Sequence, residues 1–252
     1  MCGTAILLSI GCMSVLPSAT GAPQSHLNVI FSFSFAIATS IIIFGHISGS
    51  HINPALSIAD VVRGQKSIFM FLYYTVMQCF GAFVGYSILR AIVPNEIFGE
   101  GGSSFCCNAV DPRLSPWQAF EVEMLITGIL SFVFCAVQDS KNPDAGLTVA
   151  IKFGLACVAL LTPSAYFAGS SMNPARTFGP ALFNRNWTNH WVYWFGPMSG
   201  SMIAAYVYTK IFAEHHPPGS KSRSVSRQNS TRSARVTVRP KELQHLGNGD
   251  EV

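Results

Sequence analysis

The sequence predicts an all-α membrane protein with six transmembrane helices and two half-helices in an inverted repeat. Three observations predict this class: charged residues are scarce, six apolar stretches are long enough to be spans, and one tripeptide occurs once in each half. Of the 252 residues, 49% are hydrophobic and 11% are charged, whereas soluble domains carry about 25% charged residues. Residues 1–59 contain no Asp, Glu, Lys or Arg.

Six apolar stretches account for most of the chain. A spanning helix needs roughly 20 mostly apolar residues, and soluble helices show a polar face that these stretches mostly lack. The alternative of a large soluble core is therefore disfavoured. The predicted spans are residues 2–17, 27–46, 67–92, 116–137, 147–166 and 190–212.

Two shorter segments, 52–63 and 172–185, follow the second and fifth spans and are too short to cross a membrane. Each contains Asn-Pro-Ala from its second residue onward: one copy is Asn53, Pro54 and Ala55, and the other is Asn173, Pro174 and Ala175. Each half of the chain holds three spans. Because three is an odd number, the second copy must be inverted relative to the first, as in transport proteins with interrupted helices at the midplane.

The Asn-Pro-Ala motif has the chemistry of a helix start. Asn is a favoured N-cap, whose side-chain carbonyl accepts a hydrogen bond from a free backbone N–H. Proline is favoured at the first helical position, where a missing N–H is tolerated. The amide NH2 of Asn53 and of Asn173 then remains as a donor. Two positive helix tips facing a narrow pore would orient water and disfavour protons and cations.

With this motif in two copies, the chain resembles the aquaporin family over about residues 1–213, with repeat one at about 1–93 and repeat two at about 115–213. The stretches Gly45 to Gly49 and Ser171 to Pro180 carry the resemblance together with the first motif. The resemblance implies a homotetramer in a membrane, with one pore per subunit. It also implies passive passage of water and small neutral solutes.

The resemblance further implies a four-residue selectivity filter. Its arginine follows the second motif, where Arg176 stands, and Phe33 and Ser170 occupy two further positions. The fourth position is usually His in water-selective members, but residues 147–189 contain none, and either Leu161 or Thr162 takes its place. In this respect the chain is similar to insect-type aquaporins that lack the histidine and pass glycerol.

Other sequence features leave the solute open. Thr177 stands where bacterial glycerol channels carry Asp, and the Tyr193-Trp194 pair is similar to the water-channel pattern. Water is therefore the first expectation, with glycerol or urea as further solutes. The alternative is an adhesion or junction-type relative with little permeability.

The resemblance assigns one supporting residue, and a histidine near the first motif has two possible roles. Glu123 aligns with a buried glutamate that accepts backbone N–H bonds from the second half-helix loop. His51 either lines the inner vestibule or is a satisfied structural histidine. The family's glutamate of the first span would lie just before Met1.

The cysteines and the overall composition predict no further chemistry. Cys2, Cys12, Cys79, Cys135 and Cys157 lie in apolar runs and are interpreted as packing residues. The adjacent Cys106 and Cys107 lie in a loop, so no disulfide framework or metal site is expected. The sequence shows no nucleophile and base set, phosphate loop or metal cluster. We therefore expect neither an enzyme nor a cofactor.

The segment 214–252 is basic, rich in Ser, and expected to be a disordered cytoplasmic tail rather than a nucleic-acid site. With six spans, both termini are then cytoplasmic, and the expected location is the plasma membrane. Basic residues precede serines in the tail, and these serines are candidate kinase sites: Ser224, Ser226 and Ser230. Asn186 begins a glycosylation sequon on the expected external side.

Overall fold

The computed structural model describes residues 1–18, 21–98, 104–139, 142 and 145–212, with the side chains of 145–147 excepted. Within these ranges the chain is helical, and none of the described residues forms a strand. A short 3-10 turn, Asn95–Phe98, follows the fourth helix. The eight helices of the described ranges are α1 Cys2–Met13, α2 His26–Ser48, α3 Pro54–Val62, α4 Ile68–Ile92, α5 Pro116–Val137, α6 Ala145–Ala168, α7 Pro174–Asn184 and α8 Val192–Ile211.

Four of the six predicted spans correspond to helices long and apolar enough to cross a membrane, namely α2, α4, α5 and residues Thr148–Ala168 of α6. The chain is an integral membrane protein on this basis. The first predicted span, 2–17, is too long, because α1 has 12 residues and is about 18 Å in length. The last predicted span corresponds to α8, whose 20 residues give about 30 Å.

Serine caps mark where three of the long helices begin. The hydroxyl oxygens of Ser25, Ser67 and Ser115 accept hydrogen bonds from the backbone N–H groups at the third position of α2, α4 and α5, respectively. Ser115 also forms a reciprocal capping box with Gln118. A polar side chain that satisfies the first free donors explains why these apolar helices start where they do.

The helix contacts are symmetric between the two halves. In the first half α1 packs on α2 and α4, and in the second half α5 packs on α6 and α8. The half-helix α7 packs on α4, and α3 packs in the same way on α8, while α2 and α6 contact each other. Exchanging the halves leaves this pattern unchanged, as expected for two structurally equivalent repeats.

Glycine allows the closest helix pair in each half. A Cβ at Gly85 of α4 would lie 2.2 Å from the carbonyl oxygen of Ala5 in α1, and one at Gly200 of α8 would lie 2.0 Å from that of Met124 in α5. No side chain fits at either distance. Small residues permit the same close backbone approach between membrane helices generally, and here they bring both helix pairs together.

Candidate functional site

The two Asn-Pro-Ala motifs begin α3 and α7, as the sequence predicts. The Oδ1 atom of Asn53 accepts from the backbone N–H of Ala55 at 2.8 Å. The Oδ1 atom of Asn173 accepts from Ala175 at 3.0 Å and from Arg176 at 3.3 Å. Both asparagines have extended backbone with φ −151°. The proline of each motif then occupies the first turn of the half-helix.

The two half-helices meet at their N-termini through reciprocal hydrogen bonds. The Nδ2 atom of Asn53 donates to the carbonyl oxygen of Met172 at 2.7 Å, and Nδ2 of Asn173 donates to that of Ile52 at 2.9 Å. A side-chain amide has two N–H donors. One donor of each asparagine therefore holds the two repeats together, and each amide has a second N–H donor beside the cavity that both residues line. Sequence reasoning assigned both donors to the pore and missed the link between repeats.

The loops before the motifs share an uncommon backbone. We call residues 49–53 the first re-entrant loop and 169–173 the second. Ile52 and Met172 both have left-handed backbone, with φ 43° and 49°, which is unusual for a β-branched residue such as Ile. These two residues are also the ones whose carbonyl oxygens accept hydrogen bonds from the asparagine amides. Such strain persists because the surrounding hydrogen bonds fix it.

A cavity of about 310 Å³ runs past both asparagines. Its lining begins at His26, the first residue of α2, and includes Gly49, which caps the other end of the same helix. Because α2 has 23 residues, the lining covers about 35 Å of helix length, comparable to a bilayer core of about 30 Å. We call the two ends of the cavity the arginine end, near Arg176, and the lysine end, near Lys66.

At the arginine end lie the residues expected to form a filter: Phe33, Leu161, Ser170 and Arg176 all line the cavity. We call these four the arginine-end constriction, after the narrow filter that the resemblance implies at these positions. The guanidinium carbon of Arg176 lies 4.8 Å from the centre of the Phe33 ring, within range of a cation–π contact. Thr162 is not among the lining residues, and its hydroxyl donates to the carbonyl oxygen of Val158 at 2.7 Å.

Arg176 is held by residues 104–115, which precede α5 and which we call the connector. Sequence reasoning did not associate this segment with the filter. The Nη1 atom of Arg176 donates to the backbone carbonyl of Cys106 at 3.1 Å and to Oδ1 of Asn108. Asn108 also accepts from the hydroxyl of Thr177 at 2.8 Å and donates to the carbonyl oxygen of Gly169 at 3.0 Å. Asn108 therefore joins the arginine to the second re-entrant loop, and no motif distinguished it from other loop asparagines.

Glu123 of α5 is fully buried behind the second re-entrant loop. Its two carboxylate oxygens accept from the backbone N–H groups of Ser171 at 2.7 Å and Met172 at 2.8 Å. Hydrogen bonds to an ionised acceptor are stronger than neutral ones. One side chain thus fixes two consecutive amides beside the pore.

At the lysine end, His51 belongs to a buried polar cluster. Its Nδ1 atom lies 3.2 Å from the hydroxyl of Ser57, and its Nε2 atom lies 3.3 Å from a carboxylate oxygen of Asp60. Asp60 also accepts from Arg63 at 3.0 Å and from Lys66 at 2.8 Å. His51 and Lys66 both line the cavity. Sequence reasoning named His51 and missed the other charged members of this cluster.

The interpretation of Cys12 as a packing residue, with no disulfide in the chain, is wrong. Cys12, at the end of α1, forms a disulfide with Cys106. The two cysteines are 94 positions apart, and neither spacing nor hydropathy relates them. The structure shows the pairing because the connector lies against α1.

The candidate modification sites differ in what the structure describes of them. Asn186 lies after α7, and its Nδ2 atom donates to the hydroxyl of Ser104 at 3.2 Å. Ser224, Ser226 and Ser230 lie outside the described residues. Among the described part of the chain, no group of three or more His, Cys, Asp or Glu residues is placed to hold a metal ion.

The fold and site define a helical membrane protein in which two half-helices meet beside a cavity. Comparison with known families agrees: the Major intrinsic protein family model matches residues 1–208. The chain belongs to the Major intrinsic protein family.

Two relatives illustrate the similarity. Aquaporin-4 of Mus musculus is 37% identical over 190 residues, which are 75% of this chain and 58% of the relative. The lens fiber major intrinsic protein of Lithobates pipiens is 37% identical over 213 residues, which are 83% of this chain and 78% of the relative. The chain therefore spans less than two thirds of the length of Aquaporin-4.

The fold is also similar to a solved structure. The aquaglyceroporin from Plasmodium falciparum matches with a TM-score of 0.72 at 22% sequence identity. The match covers 83% of this chain and 93% of that chain. At this identity the likeness concerns the fold.

Proposed function

We propose that this chain is a passive membrane pore for water that also conducts glycerol or urea and excludes protons and ions. One observation carries the proposal: Asn53 and Asn173 are linked across the two repeats and line one cavity together. The donor that each amide keeps free can bind the oxygen of a passing water. A water held by two donors turns its own hydrogens away from them, which interrupts a proton-conducting chain.

Exclusion of cations follows from the charge at the same place. The N-termini of α3 and α7 each carry about half a positive charge, and Arg176 lines the cavity one turn from Asn173. Positive helix ends and an arginine are the recognised barriers in water-conducting pores. A cation would be repelled by both helix ends and by Arg176, whereas a neutral solute would not.

The lining of the arginine-end constriction supports passage of small polyols. Leu161 and Phe33 offer apolar surface, and Arg176 offers N–H donors to the same space. Glycerol has a carbon backbone on one side and hydroxyl groups on the other. Its carbon side can contact Leu161 and Phe33 while its hydroxyl groups accept hydrogen bonds from Arg176. The name of the Plasmodium falciparum neighbour, an aquaglyceroporin, agrees with that solute.

Stopped-flow measurements on vesicles containing the purified chain test the proposal. We expect faster osmotic shrinkage than in empty vesicles, with measurable entry of glycerol or urea and no proton leak. Vesicles that contain inserted protein but shrink no faster than empty ones would favour the adhesion or junction-type relative instead.

Replacing Leu161 tests the solute proposal. Leu161→His adds a ring and a polar group to the constriction, so glycerol permeability should fall by at least tenfold, about 1.4 kcal/mol, relative to water permeability. Thr162→His is the matched control, because Thr162 is the adjacent residue and does not line the cavity. A larger effect from Thr162→His would show that the filter position was assigned to the wrong residue.

Arg176→Val tests the barrier itself. Removing the guanidinium widens the constriction and removes a charge, so urea entry should increase and exclusion of ions should weaken. The measurement is urea flux together with membrane conductance. Unchanged urea entry and ion exclusion would remove Arg176 from the filter.

We further propose a homotetramer in the plasma membrane, with both termini cytoplasmic. Strongly exposed apolar side chains on α2 and α4, such as Ile42 and Phe69, suit contact with lipid or with neighbouring subunits. The Cys12–Cys106 bond suits a connector on the oxidising, external side. Glycosylation at Asn186 and a kinase acting on the tail serines remain part of this proposal.

A further inference from the structure

The end of α1 contacts both sides of the arginine-end constriction. Gly11 faces the Phe33 ring so closely that a Cβ there would lie 2.4 Å from a ring carbon. The next residue, Cys12, is bonded to Cys106, whose carbonyl oxygen accepts from Arg176 at 3.1 Å. Two consecutive residues of α1 are therefore connected to the aromatic side and to the cationic side of one constriction.

We propose that the Cys12–Cys106 disulfide is a selectivity-determining link, which holds the Cys106 carbonyl against Arg176 and so sets the width of the arginine-end constriction. The two cysteines are positioning residues in this proposal, since they act through Arg176. The inference rests on the proposed function as a pore. It goes further by naming a covalent bond that controls which solutes pass.

The backbone of the connector needs support at this point. Cys106 has a left-handed backbone with φ 60°, which is uncommon for a residue other than Gly, Asn or Asp. The preceding carbonyl, of Phe105, accepts hydrogen bonds from the Tyr86 hydroxyl and from Nδ2 of Asn184, both at 3.0 Å. The disulfide fixes the next residue along, the one whose carbonyl faces Arg176. Without the bond, Cys106 can leave the left-handed region and rotate that carbonyl away.

Loss of the Cys106 carbonyl leaves Asn108 as the connector's remaining acceptor for Arg176. A guanidinium with fewer fixed acceptors samples more side-chain rotamers, and its time-averaged position no longer narrows the space opposite Phe33. Water is small enough to pass in either case. Glycerol and urea are close to the limiting size, so their permeability responds more strongly than that of water.

The test compares the full chain with Cys12→Ala/Cys106→Ala in vesicles, measuring glycerol and water permeability on the same preparation. The ratio of the two permeabilities does not depend on how many channels are active, so a loss of folded protein alone leaves it unchanged. We expect the ratio to rise roughly threefold to tenfold in the double variant, the range that corresponds to the net loss of one ordinary intramolecular hydrogen bond. Cys2→Ala, an exposed free cysteine on the same helix, is the matched control and should keep the original ratio.

Two further variants separate the disulfide from its neighbours. Cys107→Ala removes the adjacent free thiol and should leave the ratio unchanged. Asn108→Ala removes the other acceptor of Arg176 and should raise the ratio without touching the disulfide. Combining Asn108→Ala with the cysteine pair should raise it more than the product of the two separate effects, because either acceptor alone still restrains the same guanidinium.

A second measurement applies if the double variant does not insert. The wild-type chain in vesicles is treated with dithiothreitol, whose two thiols become a cyclic disulfide while the Cys12–Cys106 bond becomes two thiols. Alkylation and mass spectrometry report the loss of the bond, and the permeability ratio should rise with it. An unchanged ratio in a water-permeable chain lacking the bond overturns the inference and leaves the proposed function intact. Absence of the bond in the wild-type chain overturns it too, and absence of water permeability in the wild-type chain refutes the proposed function.

Discussion

The two re-entrant loops have nearly the same backbone and are held by different chemistry. In both, a glycine, a serine and the residue before the asparagine have left-handed backbone, and in both the last of these accepts the amide of the opposite asparagine. The second loop is fixed by one carboxylate, Glu123. The first loop has no such carboxylate on its amides among the described residues.

The first loop is held instead by hydroxyl groups and by the charged cluster at the lysine end. The hydroxyl of Ser50 donates to the carbonyl oxygen of Ser40 at 2.9 Å, and that of Tyr74 donates to the carbonyl oxygen of Ser48 at 2.9 Å. His51 lies against Asp60. Symmetry is therefore maintained where the loops meet at the pore, whereas the residues behind the loops are free to differ.

The largest effect should come from removing the one carboxylate that fixes the second loop. Glu123→Ala leaves the buried N–H groups of Ser171 and Met172 without acceptors, and each such group costs about 1–3 kcal/mol. We expect a loss of about 2–6 kcal/mol in unfolding free energy and loss of water permeability. Thermal unfolding in detergent measures the loss of stability, and stopped-flow shrinkage of vesicles measures the loss of water permeability.

Two companion variants make this first prediction specific. Glu123→Gln keeps one acceptor oxygen and should lose about half as much stability. Glu121→Gln, an exposed residue on the same helix, should change neither quantity. Wild-type unfolding temperature in Glu123→Ala would mean that the second loop is held by other contacts.

A smaller loss of stability is expected from changing the cluster behind the first loop, because several residues together hold that loop in place. Asp60→Asn removes the charge that pairs with Arg63 and Lys66, whose side chains remain 12% and 20% exposed. Partial hydration of these two cations limits the loss to about 1–3 kcal/mol. Water permeability per channel should fall as well, since the released Lys66 lines the cavity.

Glu96→Gln, an exposed carboxylate in the 3-10 turn, controls for a general effect of removing one negative charge. A destabilisation by Asp60→Asn that equals or exceeds that of Glu123→Ala would reverse the comparison. The first loop, rather than the second, would then depend on a single carboxylate.

Sequence reasoning predicted the parts of this architecture that depend on local physics. Hydropathy placed α2, α4 and α5 within two residues of their ends, and the chemistry of Asn and Pro placed the starts of α3 and α7. It failed for α1, whose apolar run continues to Leu16 although the helix ends at Met13. An apolar composition indicates burial, but it does not show where a chain turns.

The connections between distant residues could not be predicted in the same way. The Cys12–Cys106 bond and the contacts of Asn108 join segments that lie far apart in the chain, and no periodicity encodes such pairs. Leu161 and Thr162 were equivalent by alignment, and the rotation of α6 distinguishes them by placing one in the cavity lining.

The smallest effect is expected where the end of α6, just before the second loop, is held by a backbone hydrogen bond. The N–H group of Asp111 donates to the carbonyl oxygen of Phe167 at 2.9 Å, while its partly buried carboxylate pairs with the exposed Arg113. Hydrogen bonds from Arg113 lower the pKa of Asp111 from 3.8 to about 2. Because the folded-state pKa is the lower one, the pair contributes stability above about pH 4 and loses it as the pH falls through 2.

Asp111→Asn should therefore lower the unfolding temperature slightly near pH 5, and this difference from the wild type should disappear as the pH falls to 2. Permeability should stay unchanged, because the backbone contact remains. Unfolding temperatures of the variant and the wild type between pH 5 and pH 2 measure this, with Arg113→Gln expected to behave alike. A clear loss of permeability at pH 7 would show that the second loop depends on this carboxylate as well as on Glu123.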